Sequence, residues 1–481
     1  MDKLNNYDLV IVGAGACGLA LAASLNLNGK NKRVLLLESA EIPGCKLAKT
    51  GNGRCNLANA TWDSSYYHSL TRLTTEEKEL FWQEFTHGQK EAVLPQILKF
   101  WREHGVILTE KDKWLYPRHL SAKQIRDNLW QQVAANKVEL QCNSRVTEIT
   151  EKAGGYVLTA VIADNTNDDA EREKTIYTRY LVLAGGGLSQ CDANAPAGLY
   201  RILQQNFQVA CHEILPGLVQ LQCKPNYLRL TGLKVAAACT LILPDNVQIS
   251  KIGEVLFTKY GVSGIVSLIL SNYFVKWRYD HNLLSPNKKA PHTNCYDENS
   301  RHYLNIWEKK FITSNKAAGK NTASAKEKAY LLLDFCYDIA AADLSSLWQK
   351  IYSPQKSEAE NLLTFTVGFL PTKLATVLVE QWLELQPFVT KTAPDDYTDY
   401  LYFLRHWPLK LTGTLSLQEA QVSLGGVDLH EIDPRTLALK KAKNCYVGGE
   451  MLDLAGDCGG YNLMTAVWTA MKIAQDVIHK L

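Results

Sequence analysis

The segment YDLVIVGAGACGLALAASLNLNGKNKRVLLLES, residues 7–39, constrains the fold more than any other part of the chain. It opens with a β-branched apolar run, Leu9–Val12, which is followed by a glycine turn and a helix-forming stretch. A polar break then leads to a second apolar run, Val34–Leu37. This succession of strand, turn, helix and strand predicts a βαβ unit, and therefore an α/β fold with a parallel sheet.

The glycine turn has the G-x-G-x-x-G spacing of a dinucleotide-binding fingerprint. Gly13 permits the tight turn, Gly15 lets backbone N–H groups approach a pyrophosphate, and Gly18 allows the helix to pack closely on the strand. Glu38 ends the second strand, where its carboxylate can accept hydrogen bonds from ribose hydroxyls. A glycine-rich turn without a ligand is the alternative, and the complete unit disfavours it. Further cofactor contacts are predicted at Ala16, Cys17 and Ser39.

FAD and NAD share this fingerprint, and a second stretch, KLAKTGNGRCNLANA at residues 46–60, favours FAD. Cations flank its open glycine backbone, and such a loop suits the phosphate and the ring edge of a flavin. A solvated surface loop with ordinary turn glycines is the alternative. The cofactor contacts predicted here are Lys46, Lys49, Gly53, Arg54, Cys55 and Asn56.

A third stretch, NCYVGGEMLDLAGDCGGYNLMTAVWTAMKIAQDVI at residues 444–478, predicts a strand, a second loop of glycines and carboxylates, and a helix. An NAD-only Rossmann protein has no use for this element. In a flavoprotein, the acidic groups would hold the ribityl hydroxyls and the helix N-terminus would face the N1/O2 edge of the flavin. The contacts predicted here are Gly449, Glu450, Asp453, Asp457, Gly459, Gly460, Tyr461 and Asn462.

With these motifs the chain resembles the flavoprotein family described as BaiN/YhiN-like or aminoacetone-oxidase-type. The resemblance is carried by Lys46–Leu47 with residues 51–56, by residues 449–462, by FTKYGVSG at 257–264 and by SLGGV at 423–427. It spans nearly the whole chain. It implies a Rossmann-like FAD-binding domain of the two-dinucleotide-binding-domain type, with an inserted, β-rich substrate domain. It also implies FAD contacts at Val146, Gly185 and Gly186, and NAD(P)H as the electron donor.

The implied domain organisation places the FAD-binding domain in two pieces, residues 1–195 and 415–481, around a substrate domain at 196–414. The chain departs from the family in the loop LAGGGLSQCDANAPAGL, residues 183–199, and this departure leaves the substrate open. A second departure is a basic segment, residues 276–329, which looks like an insertion into the substrate domain.

The basic segment contains eleven Lys and Arg residues against five Asp and Glu residues. Two interpretations remain open. Its composition is typical of a disordered, solvated insertion. Its aromatic residues Trp277, Tyr303 and Trp307 also alternate with cations, a pattern that suits contact with ribosomal RNA through phosphate neutralisation and base stacking.

No catalytic acid can be assigned from the sequence. Tyr461 is a candidate proton donor or a packed aromatic residue, and Tyr116, Arg118 and His119 either face the substrate or belong to a loop near the site. Cys55 and Cys458 have no CxxC partner, which favours small packed residues beside the cofactor over reactive thiols.

Composition excludes several classes of protein. The 481 residues are 46% hydrophobic and carry a net charge of +3, as in an ordinary globular protein. Twelve cysteines are scattered without metal-ligand spacing, which argues against a zinc site or a disulfide framework. The sequence shows no signal peptide and no apolar run of membrane-spanning length, so a cytoplasmic protein without a membrane partner is expected.

The sequence therefore predicts an FAD-dependent oxidoreductase that reduces an activated carbon–carbon double bond in a small molecule. Three alternatives stay open: reduction of a uridine of large-subunit ribosomal RNA to dihydrouridine, oxidation of a small amine, and non-catalytic flavin binding.

Overall fold

The computed structural model describes residues 5–27, 31–163, 171–190, 194–245, 247–283, 298–313, 328–389 and 397–481. Contacts divide the chain into two compact units. Unit 1 consists of Met1–Gly217 with Leu417–Leu481, and unit 2 is Leu218–Ser416. The first division falls later than the sequence-based boundary at 195/196, because the strand Leu215–Gly217 pairs with Val422–Leu424 inside unit 1.

The elements of the N-terminal part of unit 1, in chain order, are β1 Asn6–Val12, α1 Ala16–Ser24, β2 Val34–Leu37, β3 Ala58–Asn59, β4 Tyr67–His68, α2 Thr75–Phe85, α3 Val93–Glu103, β5 Leu108–Lys111, β6 Trp114–Pro117, α4 Ala122–Ala135, β7 Glu139–Gln141, β8 Ser144–Lys152, β9 Gly155–Ala163, β10 Glu171–Leu183, α5 Asn194–Asn206 and β11 Leu215–Gly217. Those of unit 2 are β12 Leu221–Lys224, β13 Lys234–Ile242, β14 Gln248–Thr258, β15 Gly261–Ser263, α6 Ile265–Asp280, α7 Glu298–Glu308, β16 Tyr330–Asp334, α8 Ala341–Ile351, α9 Glu358–Thr366, α10 Thr372–Val389, α11 Thr398–Arg405 and β17 Trp407–Thr414. The chain ends in unit 1 with β18 Val422–Leu424, β19 Cys445–Val447, β20 Ala455–Gly456 and α12 Tyr461–Lys480.

Unit 1 is built on a seven-stranded sheet with the order β7-β2-β1-β10-β9-β8, in which β19 also pairs with β10. The pairs β7–β2, β2–β1, β1–β10 and β10–β19 are parallel, whereas β8, β9 and β10 pair antiparallel. All four residues of β2 are buried, as expected for a strand with both faces covered. The predicted α/β class with a parallel sheet is confirmed.

The parallel strands place four loop entrances at one edge of this sheet. Gly13 follows β1, Glu38 follows β2, Ala184 follows β10 and Gly448 follows β19. Gly13 has a φ of 103°, and a Cβ there would lie 2.4 Å from the Ala184 carbonyl oxygen, so the two loops can meet only at a glycine. In an open parallel sheet, ligands bind outside the carboxyl ends of the strands.

Unit 2 is the β-rich insert. Its six strands form a closed barrel with the order β12-β15-β14-β13-β16-β17, and β17 pairs with β12 to close it. Side chains of the barrel form an apolar core with those of helices α6 to α11, including Trp407, Phe403 and Leu331.

Part of the basic segment 276–329 belongs to this core. Trp277, Tyr303 and Trp307 are buried. Glu308 accepts hydrogen bonds from Lys328 at 2.7 Å, Lys410 at 2.5 Å and the Tyr330 hydroxyl at 2.8 Å, so the end of α7 is tied to the barrel. This part of the segment is therefore packed, whereas its composition predicted a solvated insertion. The difference arises because apolar residues at helical spacing lie among the cations in the sequence. Residues 284–297 and 314–327 lie outside the described residues.

Within the described part of the chain, none of the helices has both the length and the apolar character needed to cross a membrane.

Candidate active site

A cavity of about 740 Å³ lies at the carboxyl edge of the sheet in unit 1. Its walls come from the loops after β1, β2, β10 and β19 and from the first turn of α12. This is the edge at which the βαβ fingerprint predicts a dinucleotide. The volume falls within the range of roughly 300–1,000 Å³ that is usual for ligand pockets.

The structure brings together one group of the predicted contacts and leaves out another. Those that line the cavity are Gly13, Gly15, Ala16, Cys17, Glu38, Ser39, Lys46, Val146, Gly185, Gly186, Gly449, Glu450 and Asn462. Those that do not line it are Gly18, Lys49, Gly53, Arg54, Cys55, Asn56, Asp453, Asp457, Gly459, Gly460 and Tyr461.

Gly15 and Gly18 show two different reasons for glycine in one motif. A Cβ at Gly15 would meet no heavy atom within 4 Å, so that position is open on the cavity side. A Cβ at Gly18 would lie 1.8 Å from the Gly13 carbonyl oxygen, so that glycine is required for helix α1 to pack on the turn. The N–H groups in the first turn of a helix have no partners within the helix, and the helix dipole favours an anion there. The open turn fits a pyrophosphate.

The Glu38 carboxylate is held at the end of β2 by the protein backbone. It accepts hydrogen bonds from Ala14 N at 2.7 Å and from Ala40 N at 2.9 Å, and the Ser39 hydroxyl donates to it at 3.2 Å. A carboxylate has about four lone-pair sites, so capacity remains for a ribose hydroxyl.

The Glu450 carboxylate is bound by donors of the protein, whereas the sequence predicted that it would bind ribityl hydroxyls. Lys46 Nζ lies 2.8 Å from its Oε2 atom, and Ser423 N donates to its Oε1 atom at 2.8 Å. Gly187 N and the Ser189 hydroxyl donate at 3.3 and 3.4 Å. The carboxylate therefore joins three protein segments around the cavity.

The backbone conformation of the loop after β2 explains why the loop is rich in glycine and asparagine. Gly51, Asn52, Gly53 and Cys55 all have positive φ, between 52° and 85°, a region that favours glycine and tolerates asparagine. Lys49 and Arg54 are exposed on this loop, outside the cavity. Their positive charges therefore lie away from the position that the sequence predicted for a phosphate.

The inner side of the same loop positions the N-terminus of α12. The Asn59 side-chain amide donates to the Gly459 carbonyl at 3.0 Å. A Cβ at Gly460 would lie 2.6 Å from the Ala58 carbonyl oxygen and 2.7 Å from the Asn56 amide. Cys55 to Asn59 and Gly459 to Gly460 thus act as one structural unit, although they stand at opposite ends of the sequence.

Asp453 and Asp457 are buried among protein donors and not in the cavity. Asp453 accepts from the Ser69 hydroxyl at 2.7 Å, from Thr71 N at 2.5 Å and from the Thr71 hydroxyl at 2.7 Å. Asp457 lies 2.7 Å from His68 Nε2. Both carboxylates fix the segment 68–71 against the C-terminal loop.

The candidate thiols and the candidate tyrosine are packed groups. Burial raises the pKa of Cys55 to about 11 and that of Cys458 to about 12, so both thiols stay protonated at neutral pH. Burial also raises the pKa of Tyr461, whose hydroxyl donates to the Thr61 carbonyl at 3.2 Å. Its ring stacks on Tyr66 at 4.7 Å.

Tyr116, Arg118 and His119 lie at the end of the β5–β6 hairpin, and none of them lines the cavity. Burial raises the pKa of Tyr116, whereas Arg118 and His119 are exposed. Their relation to a substrate stays a prediction.

Sequence reasoning missed several lining residues. Gly44 has a φ of 68° and donates its N–H to the Ala14 carbonyl at 2.8 Å. Its Pro-Gly pair was a turn signal that could have revealed it. Asn143 and Ser144 follow β7, the parallel strand beside β2, and the rule for strand ends would have included them. Gln421, Val422 and Ala466 carry no local signal.

The residues present fit FAD. An open helix N-terminus at α1, a carboxylate after β2 and the first turn of α12 line one cavity of about 740 Å³. Among the residues that the structure describes, no group of three or more His, Cys, Asp or Glu side chains could hold a metal ion.

Known proteins match this chain along nearly its whole length. The profile described as "HI0933-like protein Rossmann domain" matches residues 7–476. The chain is 26% identical over 469 residues to the 3-dehydro-bile acid delta(4,6)-reductase of Clostridium scindens, covering 96% of this chain and 97% of that protein. It is 25% identical over 480 residues to the ribosomal RNA dihydrouridine synthase of Escherichia coli, covering 99% of both. A solved structure, the 3-ketosteroid-delta4-(5alpha)-dehydrogenase from Rhodococcus jostii RHA1, matches with a TM-score of 0.47 and 12% identity, covering 99% of this chain and 98% of that one.

Proposed function

This chain belongs to the HI0933-like family of FAD-dependent oxidoreductases, and on that premise we propose that it reduces an activated carbon–carbon double bond in a small molecule, with NAD(P)H as the electron donor. An activated bond is one that is conjugated to a carbonyl, so that hydride addition to one carbon is favourable.

The observation that carries this proposal is the shared chemistry of two relatives. The Clostridium scindens protein is named for the reduction of double bonds in a bile acid, and the Escherichia coli protein for the conversion of uridine to dihydrouridine. Both names describe the saturation of a ring double bond, although the molecules that carry the bond are unrelated. Because both relatives align over nearly the whole chain, their shared reaction type supports the proposal, whereas their substrates differ.

The residues of the cavity give this reaction its setting. When bound, FAD supplies hydride transfer between a nicotinamide and carbon. The open turn at Gly15 would hold the pyrophosphate, Glu38 the ribose, and Gly449 with the first turn of α12 the flavin end. Asn462 is fixed for this task, because its side chain both accepts from Gly456 N and donates to Gly456 O at 2.8 Å.

Burial of the aromatic residues in the basic segment favours a small molecule over RNA. Trp277, Tyr303 and Trp307 have 6%, 7% and 0% of their surface exposed, so they cannot serve as stacking platforms for bases. Ribosomal RNA remains the second candidate substrate because of the Escherichia coli relative. Oxidation of a small amine is a third candidate, and it would use oxygen as the acceptor.

Reoxidation of the reduced flavin tests these candidates. The holoenzyme is reduced anaerobically with a stoichiometric amount of NADH or NADPH, then mixed with a 3-oxo bile acid that has a conjugated double bond, or with unmodified large-subunit ribosomal RNA. We expect rapid flavin reoxidation by the conjugated ketone. Reoxidation by RNA alone would transfer the proposal to RNA. Reoxidation by neither, together with oxygen uptake in the presence of aminoacetone, would overturn the reductase proposal.

A further inference from the structure

Lys46 and Glu450 form an ion pair that lines the cavity. The proposed reaction assigns no role to either residue. Lys46 Nζ lies 2.8 Å from Glu450 Oε2, and the two side chains are 30% and 25% exposed. The partners stand 404 residues apart in the sequence. An exposed ion pair adds little to stability, so a partly exposed pair that lines a ligand cavity calls for another role.

The Glu450 carboxylate has little freedom to move. In addition to Lys46, it accepts from Ser423 N at 2.8 Å, Gly187 N at 3.3 Å and the Ser189 hydroxyl at 3.4 Å. A Cβ at Gly187 would lie 2.8 Å from the Glu450 carboxyl group, so the loop after β10 reaches this carboxylate only because it has a glycine there. The negative charge is therefore held at a fixed place in the wall.

The Lys46 ammonium is tied to the same place. One N–H donates to Glu450 and a second donates to the Ser189 hydroxyl at 3.1 Å, out of the three donors that an ammonium group carries. In the described lining, the other cationic side chain is Arg145. Arg145 belongs to the Glu38 end of the cavity, because its neighbour Ser144 donates its N–H to the Glu38 carbonyl at 2.7 Å. Lys46 is thus the cation of the end built by Gly449 and α12.

We propose that the Lys46–Glu450 pair sets the reduction potential of the flavin. Negative charge develops on the flavin when it is reduced, and a cation beside it stabilises the reduced form, whereas an anion destabilises it. Lys46 supplies the stabilising charge, and Glu450 limits its effect while holding the ammonium in place. In this proposal both residues act by placing charge beside the flavin.

Opposite shifts in potential test this proposal. The holoenzyme variants Lys46→Met, Glu450→Gln and the double variant are reduced slowly under anaerobic conditions beside a reference dye, and both spectra are followed at equilibrium. For Lys46→Met we expect the ratio of reduced to oxidised flavin, at a fixed dye ratio, to fall at least tenfold, which is about 30 mV for a two-electron couple. For Glu450→Gln we expect a rise of similar size.

The double variant and two further variants separate charge from structure. The double variant and Lys46→Arg should return to within threefold of the unmodified protein, because the first restores neutrality and the second restores the cation. Lys49→Met, which removes an exposed cation outside the cavity three positions away, should leave the ratio unchanged.

Shifts of both single variants in one direction, or shifts below threefold, would overturn the proposal. A purely structural role would lower the FAD content of both variants without the opposition in sign. If Glu450→Gln fails to retain FAD, the other two variants still test the proposal. The ratio of reduced to oxidised flavin must fall in Lys46→Met and must stay near that of the unmodified protein in Lys46→Arg. The potential is measured without any substrate, so the result does not depend on the proposed reaction.

Discussion

Replacement of Gly15 by alanine should separate cofactor binding from folding. Gly15 precedes α1 with φ −76° and ψ −166°, a conformation open to alanine, and its Cβ would meet no heavy atom within 4 Å. The loss of a glycine N-cap costs up to about 1 kcal/mol, and the reduced entropy of the unfolded chain returns about 0.4–1 kcal/mol. The apoprotein should therefore keep its free energy of unfolding to within about 1 kcal/mol.

The same methyl group should weaken FAD binding strongly. It fills the space through which the backbone at the start of α1 approaches the pyrophosphate. The loss of two charge-assisted hydrogen bonds at about 1.5 kcal/mol each removes about 3 kcal/mol. That is about a 100-fold increase in Kd.

Gly18→Ala is the matched control. Its Cβ would lie 1.8 Å from the Gly13 carbonyl oxygen, so the helix must move away from the turn, at a cost of about 3 kcal/mol or more in the free energy of unfolding. Urea unfolding of the apoproteins measures stability, and quenching of FAD fluorescence measures Kd. Wild-type affinity in Gly15→Ala would refute the assignment of the pyrophosphate to this turn.

Three further predictions concern single groups. Burial alone would raise the pKa of Glu308, but hydrogen bonds from two lysines and a tyrosine lower this pKa to about 2. The ionised carboxylate therefore stabilises the fold fully at any pH above the ordinary glutamate pKa of about 4.3, and this stabilisation is lost as the pH falls toward 2. Urea unfolding at a series of pH values should show this loss of stability in the unmodified protein and a smaller loss in Glu308→Gln. An equal dependence of the free energy of unfolding on pH in the two proteins would contradict the prediction. Iodoacetamide at pH 8 should label exposed Cys45 and leave Cys55 unmodified in the native protein, as mass spectrometry of peptides would report, whereas equal labelling would mean that the buried thiol is accessible. Tyr461→Phe should lose about 1 kcal/mol of stability with kcat within threefold, because the hydroxyl serves the Thr61 carbonyl; a hundredfold drop in kcat would restore it as the proton donor.

Local sequence was sufficient for the βαβ unit. The strand Val34–Leu37 has the bounds that its apolar run predicts, and the Ser121 side chain caps α4 by accepting a hydrogen bond from Gln124 N. Short-range signals decide these elements: a run of apolar residues, a glycine turn or a capping side chain. The lining of the cavity by Gly13, Gly15 and Glu38 follows from the same unit.

Contacts between distant segments could not be read in this way. No local pattern indicates that Lys46 meets Glu450, or that Asp453 is used to fix Thr71, 382 positions away. Carboxylates in a glycine-rich loop suggested ribityl ligands, but burial gave them protein donors instead. The barrel of unit 2 closes through antiparallel pairs such as Leu221 with Thr414, for which the sequence shows only short apolar runs.

We propose above that this flavoprotein saturates an activated double bond. The most direct measurement is the mass of the product formed when the FAD-loaded protein and NADH or NADPH are incubated anaerobically with a conjugated 3-oxo bile acid. We expect a product heavier than the substrate by two hydrogen atoms, formed in step with nicotinamide oxidation. Two observations together would contradict the proposal: the substrate keeps its mass, and the nicotinamide is fully oxidised once air is admitted. Electrons would then pass to oxygen and not to carbon.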